Sequence, residues 1–189
     1  MSEHKIANPG PLGLLGFGMT TVLLNLHNAG IIPLSVVIVA MGFALGGIAQ
    51  IVAGIMEFKR NNLFGAIAFT AYGLFWWSLI FIWCNPFNNV PSDSMSMGYY
   101  LLLWGIFTGF MSIGTLKHNR ATQIVFFWLT ALFLLLSLSD FTGSPCVHTL
   151  AGYVGIFCGL SAIYTSVAQV VNNEHGKNLM PLGDQAHKK

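Results

Sequence analysis

Six long runs of apolar residues, separated by short polar segments, dominate the hydrophobic pattern of this chain. Each run is continuous instead of alternating, and most approach the length of about 20 residues that a helix needs to cross a bilayer. Barrel strands would instead give alternating segments of about ten residues. The predicted helices are Pro11–Leu26, Leu34–Phe58, Leu63–Trp83, Gly98–Leu116, Ala121–Asp140 and Val147–Val171. The pattern therefore predicts an all-α integral membrane protein with six transmembrane helices.

Composition supports a chain whose surface faces lipid. Hydrophobic residues make up 54% of the 189 residues and charged residues only 7%, where soluble proteins carry about 25%. So few charges cannot cover a soluble surface, which excludes a soluble enzyme and a disordered chain. A net charge of +2 offers no basic surface to a nucleic acid. We expect the lipid bilayer as the surroundings and no nucleic-acid partner.

The positive residues predict how these helices are oriented. Every Lys and Arg falls before the first predicted helix, after an even-numbered one, or in the tail: Lys5, Lys59, Arg60, Lys117, Arg120, Lys177, Lys188 and Lys189. The other connections carry Asp93 and Asp140 instead. Because cytoplasmic segments are enriched in Lys and Arg, we expect both termini in the cytoplasm. The chain is then one domain, 1–189, with an N-terminal segment 1–10 and a cytoplasmic tail 172–189.

The first predicted helix has a second interpretation, as a cleaved signal peptide. Lys5, the short apolar stretch and the small residues Ala29 and Gly30 fit that pattern. Polar Thr20 and Asn25 inside the stretch favour a membrane-spanning helix that stays in the protein.

Polar residues follow one face of three predicted helices, at spacings of four, four and three. The stripes are Phe17, Thr21, Asn25 and Asn28; Gly46, Gln50, Gly54 and Glu57; and Ser161, Thr165, Gln169 and Asn172. Unpaired polar groups cost several kcal/mol in a bilayer, so these side chains must face protein or water. One interpretation is hydrogen bonding between helices, and the other is a solute pathway. The candidate pathway residues are Thr20, Thr21, Asn25, Asn28 and Gln50.

The first predicted helix is entered through Asn8-Pro9-Gly10-Pro11. Proline in the first turn loses no hydrogen bond, and its fixed φ suits a helix start. Inside the membrane, such a start would offer free N–H groups and the positive end of the helix dipole to a carboxylate. At the membrane surface, the same residues would form an ordinary cap. We add Asn8 to the candidate pathway, and both interpretations stay open.

Titratable residues near the predicted helices are few. Glu57 lies two residues before Lys59, so an interfacial ion pair is its first interpretation and proton coupling the second. His27, at the outer end of the first helix, either titrates near physiological pH or forms a surface hydrogen bond. No residue pattern indicates catalysis or metal binding. We therefore predict that the chain is not an enzyme and uses no metal or cofactor.

Small and aromatic residues predict contacts between helices. Glycine pairs four residues apart allow close helix packing within or between subunits; they are Gly42 and Gly46, Gly105 and Gly109, and Gly155 and Gly159. Phe17 and Tyr72 lie near mid-membrane beside polar residues and are candidates for a hydrophobic constriction. Cys84 and Cys146, near the outer ends of helices three and six, either form a disulfide or act as small apolar residues.

The start of the chain also carries a family resemblance. Residues 8–14, Asn-Pro-Gly-Pro-Leu-Gly-Leu, resemble the N-P-x-P-L-G-L signature of the acetate uptake transporter family, the succinate–acetate permeases. The likeness continues through Gly46-Gly47-Ile48-Ala49-Gln50, Tyr72-Gly73-Leu74-Phe75-Trp76, Phe107-Thr108, Gly114-Thr115-Leu116-Lys117 and Ser161-Ala162-Ile163-Tyr164. It reaches Pro181-Leu182-Gly183, and Gly10 stands where the family usually has Ala.

The resemblance implies transport of acetate and succinate by a homo-oligomer, a hexamer with one pore per subunit. It also implies that Leu129 joins Phe17 and Tyr72 at the constriction. We therefore predict a small-carboxylate channel or proton-coupled permease of the cytoplasmic (inner) membrane, with Glu57 or His27 in proton coupling. Two alternatives stay open. One is a channel for neutral solutes, since Asn-Pro-Gly superficially resembles the Asn-Pro-Ala of aquaporins, and the other is a non-transporting membrane scaffold.

Overall fold

The computed structural model describes residues 6–86 and 90–183, and all regular secondary structure in these ranges is helical. The helices are α1 (Gly10–Asn28), α2 (Val36–Lys59), α3 (Leu63–Cys84), α4 (Ser94–Gly114), α5 (Arg120–Thr142) and α6 (Pro145–His175), and a 3₁₀ turn (Thr115–Lys117) follows α4. Five of them, α2 to α6, are long and apolar enough to cross a membrane. The predicted all-α membrane fold is confirmed.

Helix α1 lies inside the bundle, which explains why it is more polar than the others. It packs along α6 and also contacts α2 and α3. Gly18 faces the backbone of Gly159 in α6, and Gly16 faces the carbonyl of Leu45 in α2, so neither position has room for a side chain. Leu12 and Met19 are exposed on one side of α1, whereas its threonines and asparagines are buried against neighbouring helices. These polar residues therefore carry no cost of exposure to hydrocarbon.

Helix α2 departs from the regular α-helix that the sequence predicts. It is α-helical over Val36–Met41, π-helical over Gly42–Ala49 and α-helical again over Gln50–Lys59. Trp77 of α3 donates from Nε1 to the carbonyl of Phe43, at 3.2 Å, within the π segment. π turns are rare and frequently occur at functional sites. Hydrophobic spacing did not reveal this segment because the apolar run is continuous there.

The glycine pairs are used for packing within the chain. Trp76 lies against Gly46, with its Cγ 2.7 Å from where a Cβ would stand. Asn25 fills the space beside Gly155 in the same way. Gly109 is looser, since the nearest atom to its missing Cβ is 3.7 Å away, on Thr130. The prediction of close helix packing is therefore confirmed within the chain at Gly46 and Gly155.

The helix directions bring Lys59, Arg60, Lys117, Arg120 and Lys177 to one end of the bundle, called the basic end below. This agrees with the predicted topology; Lys5, Lys188 and Lys189 lie outside the described residues. Which side of the membrane this end faces stays a prediction. At the opposite end, Cys84 and Cys146 are both exposed and form no disulfide.

The C-terminal segment folds back over the basic end. Helix α6 continues to His175, past the predicted start of the tail, and ends at Gly176 with a φ of 61°. The Asn172 side chain then binds both the N–H and the carbonyl of Met180. The carbonyls of Leu182 and Gly183 accept from the first N–H groups of α5, each at 3.0 Å. The tail thereby caps the start of α5, whose N–H groups have no partner within the helix.

Candidate functional site

Two predicted constriction residues meet in the middle of the bundle. The rings of Phe17 on α1 and Tyr72 on α3 have centroids 6.2 Å apart. Leu129 on α5, the third predicted member, belongs to the same buried apolar cluster. Rings of Trp104, Phe107 and Phe126 surround Tyr72 with centroids 6.1, 5.8 and 6.2 Å away. The constriction role of these residues stays a prediction, and their geometry fits it.

A cavity of about 290 Å³ opens at the basic end, and it is called the vestibule below. Residues of α1, α2, α3, α5 and α6 line it, together with residues that immediately precede or follow these helices. Three of the lining residues, Leu14, Ala68 and Phe126, lie one helical turn from the three predicted constriction residues. The vestibule is therefore adjacent to the aromatic cluster and provides an approach to it from the basic end.

The polar wall of the vestibule is built around Glu57. Its carboxylate is 2% exposed, and its Oε2 accepts from Arg60 Nη1 at 3.2 Å and from Asn62 Nδ2 at 3.0 Å. The predicted ion pair is thus formed with Arg60 and not with Lys59. His118 closes another side of the cavity, where its ring lies 4.7 Å from that of Phe64. Burial lowers the pKa of His118, which favours its neutral form.

Asn8 bonds to the start of α1 as a cap would, which is one of the two interpretations of this segment. Its Oδ1 accepts from the N–H of Gly10 at 3.1 Å and from Arg60 Nη1 at 2.8 Å. Its Nδ2 donates to Gln169 Oε1 of α6 at 3.3 Å. The first N–H of α1 is therefore occupied by the chain's own oxygen, and a pathway role for Asn8 stays a prediction.

Several buried polar atoms next to the aromatic cluster have no partner among the described residues. These are Thr21 Oγ1, Gln50 Oε1, Thr70 Oγ1 and Trp76 Nε1. Buried polar groups without hydrogen bonds cost several kcal/mol in a bilayer. Thr21 and Gln50, both predicted pathway residues, therefore have hydrogen-bonding capacity left for water or for a polar solute.

The other predicted pathway residues of α1 have partners in the chain. Thr20 Oγ1 donates to the carbonyl of Gly16 at 2.8 Å, and Asn25 Nδ2 donates to the carbonyl of Thr21 at 2.8 Å. Asn28 Nδ2 donates to Asn25 Oδ1 at 3.1 Å. These bonds agree with the packing interpretation of the polar stripe, and a pathway role for Thr20, Asn25 and Asn28 stays a prediction.

The stripe on α6 also serves packing at most of its positions. Thr165 donates to the carbonyl of Ser161 within its own helix, at 2.7 Å. Asn172 holds the C-terminal segment, as described above. Only Gln169 reaches the vestibule, where it accepts from Asn8. His27, at the opposite end of the bundle, has its Nδ1 3.2 Å from the carbonyl of Ile32, which matches the surface hydrogen bond considered above.

Sequence reasoning used Arg60 only as a topology marker and gave His118 no role. Both line the vestibule, together with residues from five different helices. Each lies in a short polar connection between two apolar runs, and nothing in the local sequence distinguishes such a connection from any other loop. Only the packing of α1, α3 and α5 around one cavity distinguishes them.

Comparison with known proteins identifies the family. The family model described as the GPR1/FUN34/yaaH family matches residues 1–181. The succinate-acetate/proton symporter SatP of Escherichia coli (strain K12) is 49% identical over 187 residues, which cover 97% of this chain and 99% of that protein. The ammonia transport outward protein 2 of Saccharomyces cerevisiae is 35% identical over 181 residues, which cover 91% of this chain and 64% of that protein.

A solved structure agrees with the sequence comparison. The structure titled as that of the bacterial acetate channel SatP superimposes with a TM-score of 0.92 at 49% identity, covering 95% of this chain and all of that one. These relatives carry the names of transport proteins, so the prediction that the chain is not an enzyme is confirmed. The family resemblance seen in the sequence is confirmed as well. The chain belongs to the GPR1/FUN34/yaaH family.

Proposed function

We propose that this protein transports acetate and succinate across the cytoplasmic membrane. The observation that carries the proposal is the vestibule, which contains the Arg60 guanidinium. Its innermost lining residues lie one helical turn from Phe17 and Tyr72, whose rings contact each other. The choice of acetate and succinate is supported by the names of the E. coli relative and of the matching structure.

A carboxylate enters the vestibule and is attracted to Arg60, whose side chain is 32% exposed although it pairs with Glu57. Between the vestibule and the opposite end it passes Phe17, Tyr72 and Leu129, whose buried apolar side chains would require it to shed water. The unpaired oxygens of Thr21 and Gln50 provide or bridge hydrogen bonds next to this point. Weak, neutral partners favour release as well as binding.

Glu57 is the better candidate for proton coupling. Its carboxylate is buried in the vestibule, within reach of the substrate's route, and its Arg60 partner is 32% exposed. Protonation of Glu57 would release Arg60 to bind the substrate carboxylate, so the two events favour each other. His27, the second candidate, lies at the opposite end of the bundle and bonds to backbone.

The protein works as a homo-oligomer, for which the family resemblance implies a hexamer, with both termini in the cytoplasm. Large apolar side chains are exposed on the outer faces of the described helices, including Phe110, Leu103 and Val36 at 71%, 68% and 78%. These faces contact lipid or another subunit. Each subunit contains its own vestibule and aromatic cluster, so each provides one pathway.

The direct test is uptake of labelled acetate into liposomes that contain the purified protein, with empty liposomes subtracted because acetic acid crosses lipid. We expect saturable, protein-dependent uptake that succinate inhibits. Phe17→Ala and Tyr72→Ala should each change the acetate flux several-fold, whereas Phe110→Ala, at an exposed position, is the matched control and should not. Wild-type flux in both Phe17 and Tyr72 variants would disprove the constriction.

Proton coupling is tested in the same vesicles with an inward proton gradient. We expect the gradient to concentrate acetate in wild-type vesicles. Glu57→Gln should retain exchange of labelled for unlabelled acetate and lose this concentration. If Glu57→Gln still concentrates acetate, Glu57 does not couple proton and substrate.

A neutral-solute channel is a second candidate because of the yeast relative's name, which refers to ammonia transport. Its test is the pH change inside the same liposomes after an ammonium pulse. Protein-dependent ammonia flux without acetate flux would favour it. No protein-dependent flux of either solute would favour a scaffold.

A further inference from the structure

The hydroxyl of Tyr72 is held inside an apolar cluster by one side chain. Tyr72 is 3% exposed, and its Oη lies 2.9 Å from Thr108 Oγ1 on α4. The neighbouring rings of Phe17, Trp104 and Phe126 offer this hydroxyl no oxygen acceptor on their side chains. Among the described residues, Thr108 is its only hydrogen-bond partner.

The direction of this bond follows from the second bond of Thr108. Thr108 Oγ1 donates its single proton to the carbonyl of Trp104, one turn earlier on α4, at 2.7 Å. A threonine hydroxyl has one proton and two lone pairs. Tyr72 must therefore be the donor in its bond with Thr108. Without the Thr108 oxygen, the Tyr72 hydroxyl would be a buried donor with no acceptor, which is unfavourable in an apolar site.

Thr108 is itself fixed by a chain of hydrogen bonds that joins α4 to α5. Its side chain is fully buried, and its carbonyl accepts from Ser112 Oγ at 2.9 Å. Ser112 Oγ also lies 3.0 Å from Thr130 Oγ1 on α5 and 3.2 Å from the carbonyl of Phe126. Tyr72 is thus bonded to a part of α4 that is itself hydrogen-bonded to α5. The α5 residue in this chain, Thr130, is adjacent to the predicted constriction residue Leu129.

We infer that Thr108 is a positioning residue, which sets the width of the constriction by holding the Tyr72 ring through its hydroxyl. This inference rests on the proposed function, because it assumes that solutes pass Tyr72. When the bond is lost from either side, the Tyr72 ring is no longer held to α4, and the aromatic cluster loosens around it. The constriction then admits propionate, one methylene longer than acetate, more readily relative to acetate, so Thr108 contributes to the discrimination between short monocarboxylates.

The test is the ratio of propionate flux to acetate flux in liposomes, for Thr108→Val, Tyr72→Phe and the double variant. Thr108→Val keeps the volume and removes the acceptor, and we expect the ratio to rise by about 2- to 10-fold, the factor that corresponds to one net hydrogen bond. Thr108→Ser keeps the oxygen and should restore the wild-type ratio. Thr142→Val removes a similar hydroxyl at the exposed end of α5, where among the described residues it bonds only to the carbonyl of Leu138 in its own helix, and it should leave the ratio unchanged.

The double variant separates positioning from general packing. If Thr108 acts through the Tyr72 hydroxyl, Thr108→Val adds nothing in the Tyr72→Phe background. An equal additional effect there, or an unchanged ratio in Thr108→Val, would overturn the inference. Should Thr108→Val fail to assemble, Tyr72→Phe breaks the same bond from its other side, and an unchanged ratio in that variant overturns the inference as well. If the wild-type protein transports no carboxylate at all, the result would instead contradict the proposed function.

Discussion

Substitution of Gly159 by Ala should displace α1, the helix that carries Phe17. A Cβ at Gly159 would lie 2.8 Å from the carbonyl oxygen of Gly18 and 2.8 Å from the backbone nitrogen of Val22. Real Cβ contacts of this length essentially do not occur, and backbone atoms cannot rotate away as a flexible side chain does. The whole middle of α1 must therefore move away from α6.

The size of the effect follows from this geometry. Overpacking by one methyl group in a close-packed interior costs about 1–3 kcal/mol, and a rigid backbone neighbour places Gly159→Ala in the upper part of that range. For a chain of this size, 1 kcal/mol corresponds to about 2–4 °C in Tm. We expect a loss of several degrees, up to about 10 °C, together with a reduced acetate flux because Phe17 moves with α1.

Gly109 provides the matched control for Gly159. It belongs to the same type of glycine pair, but the nearest atom to its missing Cβ is a methyl carbon of Thr130 at 3.7 Å, an ordinary contact. Ala also favours a helix by about 1 kcal/mol over Gly, so Gly109→Ala should leave the Tm unchanged or slightly raised. The assay is thermal unfolding of the purified proteins in detergent, followed by intrinsic fluorescence. Equal Tm losses in both variants would refute the close-packing argument.

Three further predictions concern the two ends of the bundle. Burial lowers the pKa of His118, so the unfolded chain binds a proton there more readily than the folded protein. The neutral imidazole therefore contributes fully to stability above a pH of about 6.5, and this contribution is lost as the pH falls. Between pH 7.5 and 5, the Tm of His118→Gln should drop less than that of wild type. A membrane-impermeant maleimide added from outside intact cells should label exposed Cys84 and Cys146 but not buried Cys158, and labelling only in inverted membranes would reverse the proposed orientation. Gly183 has a φ of 70° and no room for a Cβ against the start of α5, so Gly183→Ala should release the tail and speed tryptic cleavage after Lys177, measured by mass spectrometry against wild type.

The sequence by itself determined the class and topology of this protein. The length of an apolar run and the side on which Lys and Arg fall are local properties of the chain, and the bilayer imposes them regardless of how the helices pack. The six helices and the position of the charges at one end follow from these properties. The signature at residues 8–14 added the family, and with it the expectation that Leu129 joins Phe17 and Tyr72 at the constriction.

Only the tertiary structure decided which polar side chains find hydrogen-bond partners within the protein. The stripe on α1 follows one helix face along its whole length, yet Asn25 is bonded to backbone and packed against Gly155, whereas Thr21 Oγ1 has no partner among the described residues. The difference depends on which neighbour faces each turn of α1, and that neighbour is more than a hundred residues away in the case of Gly155. A period of three to four residues defines a helix face and carries no information about what packs against it.

The same limit applies to the vestibule and to the bond that holds Tyr72. Arg60 and His118 belong to separate connections between helices, and they line the same cavity only because the helices pack around it. Thr108 is 36 residues from Tyr72 in the chain. The packing of α4 against α3 decides that the Thr108 oxygen accepts the hydrogen bond from the Tyr72 hydroxyl. Sequence patterns specify which side chains must avoid lipid, while three-dimensional packing specifies which of them remain available to a solute.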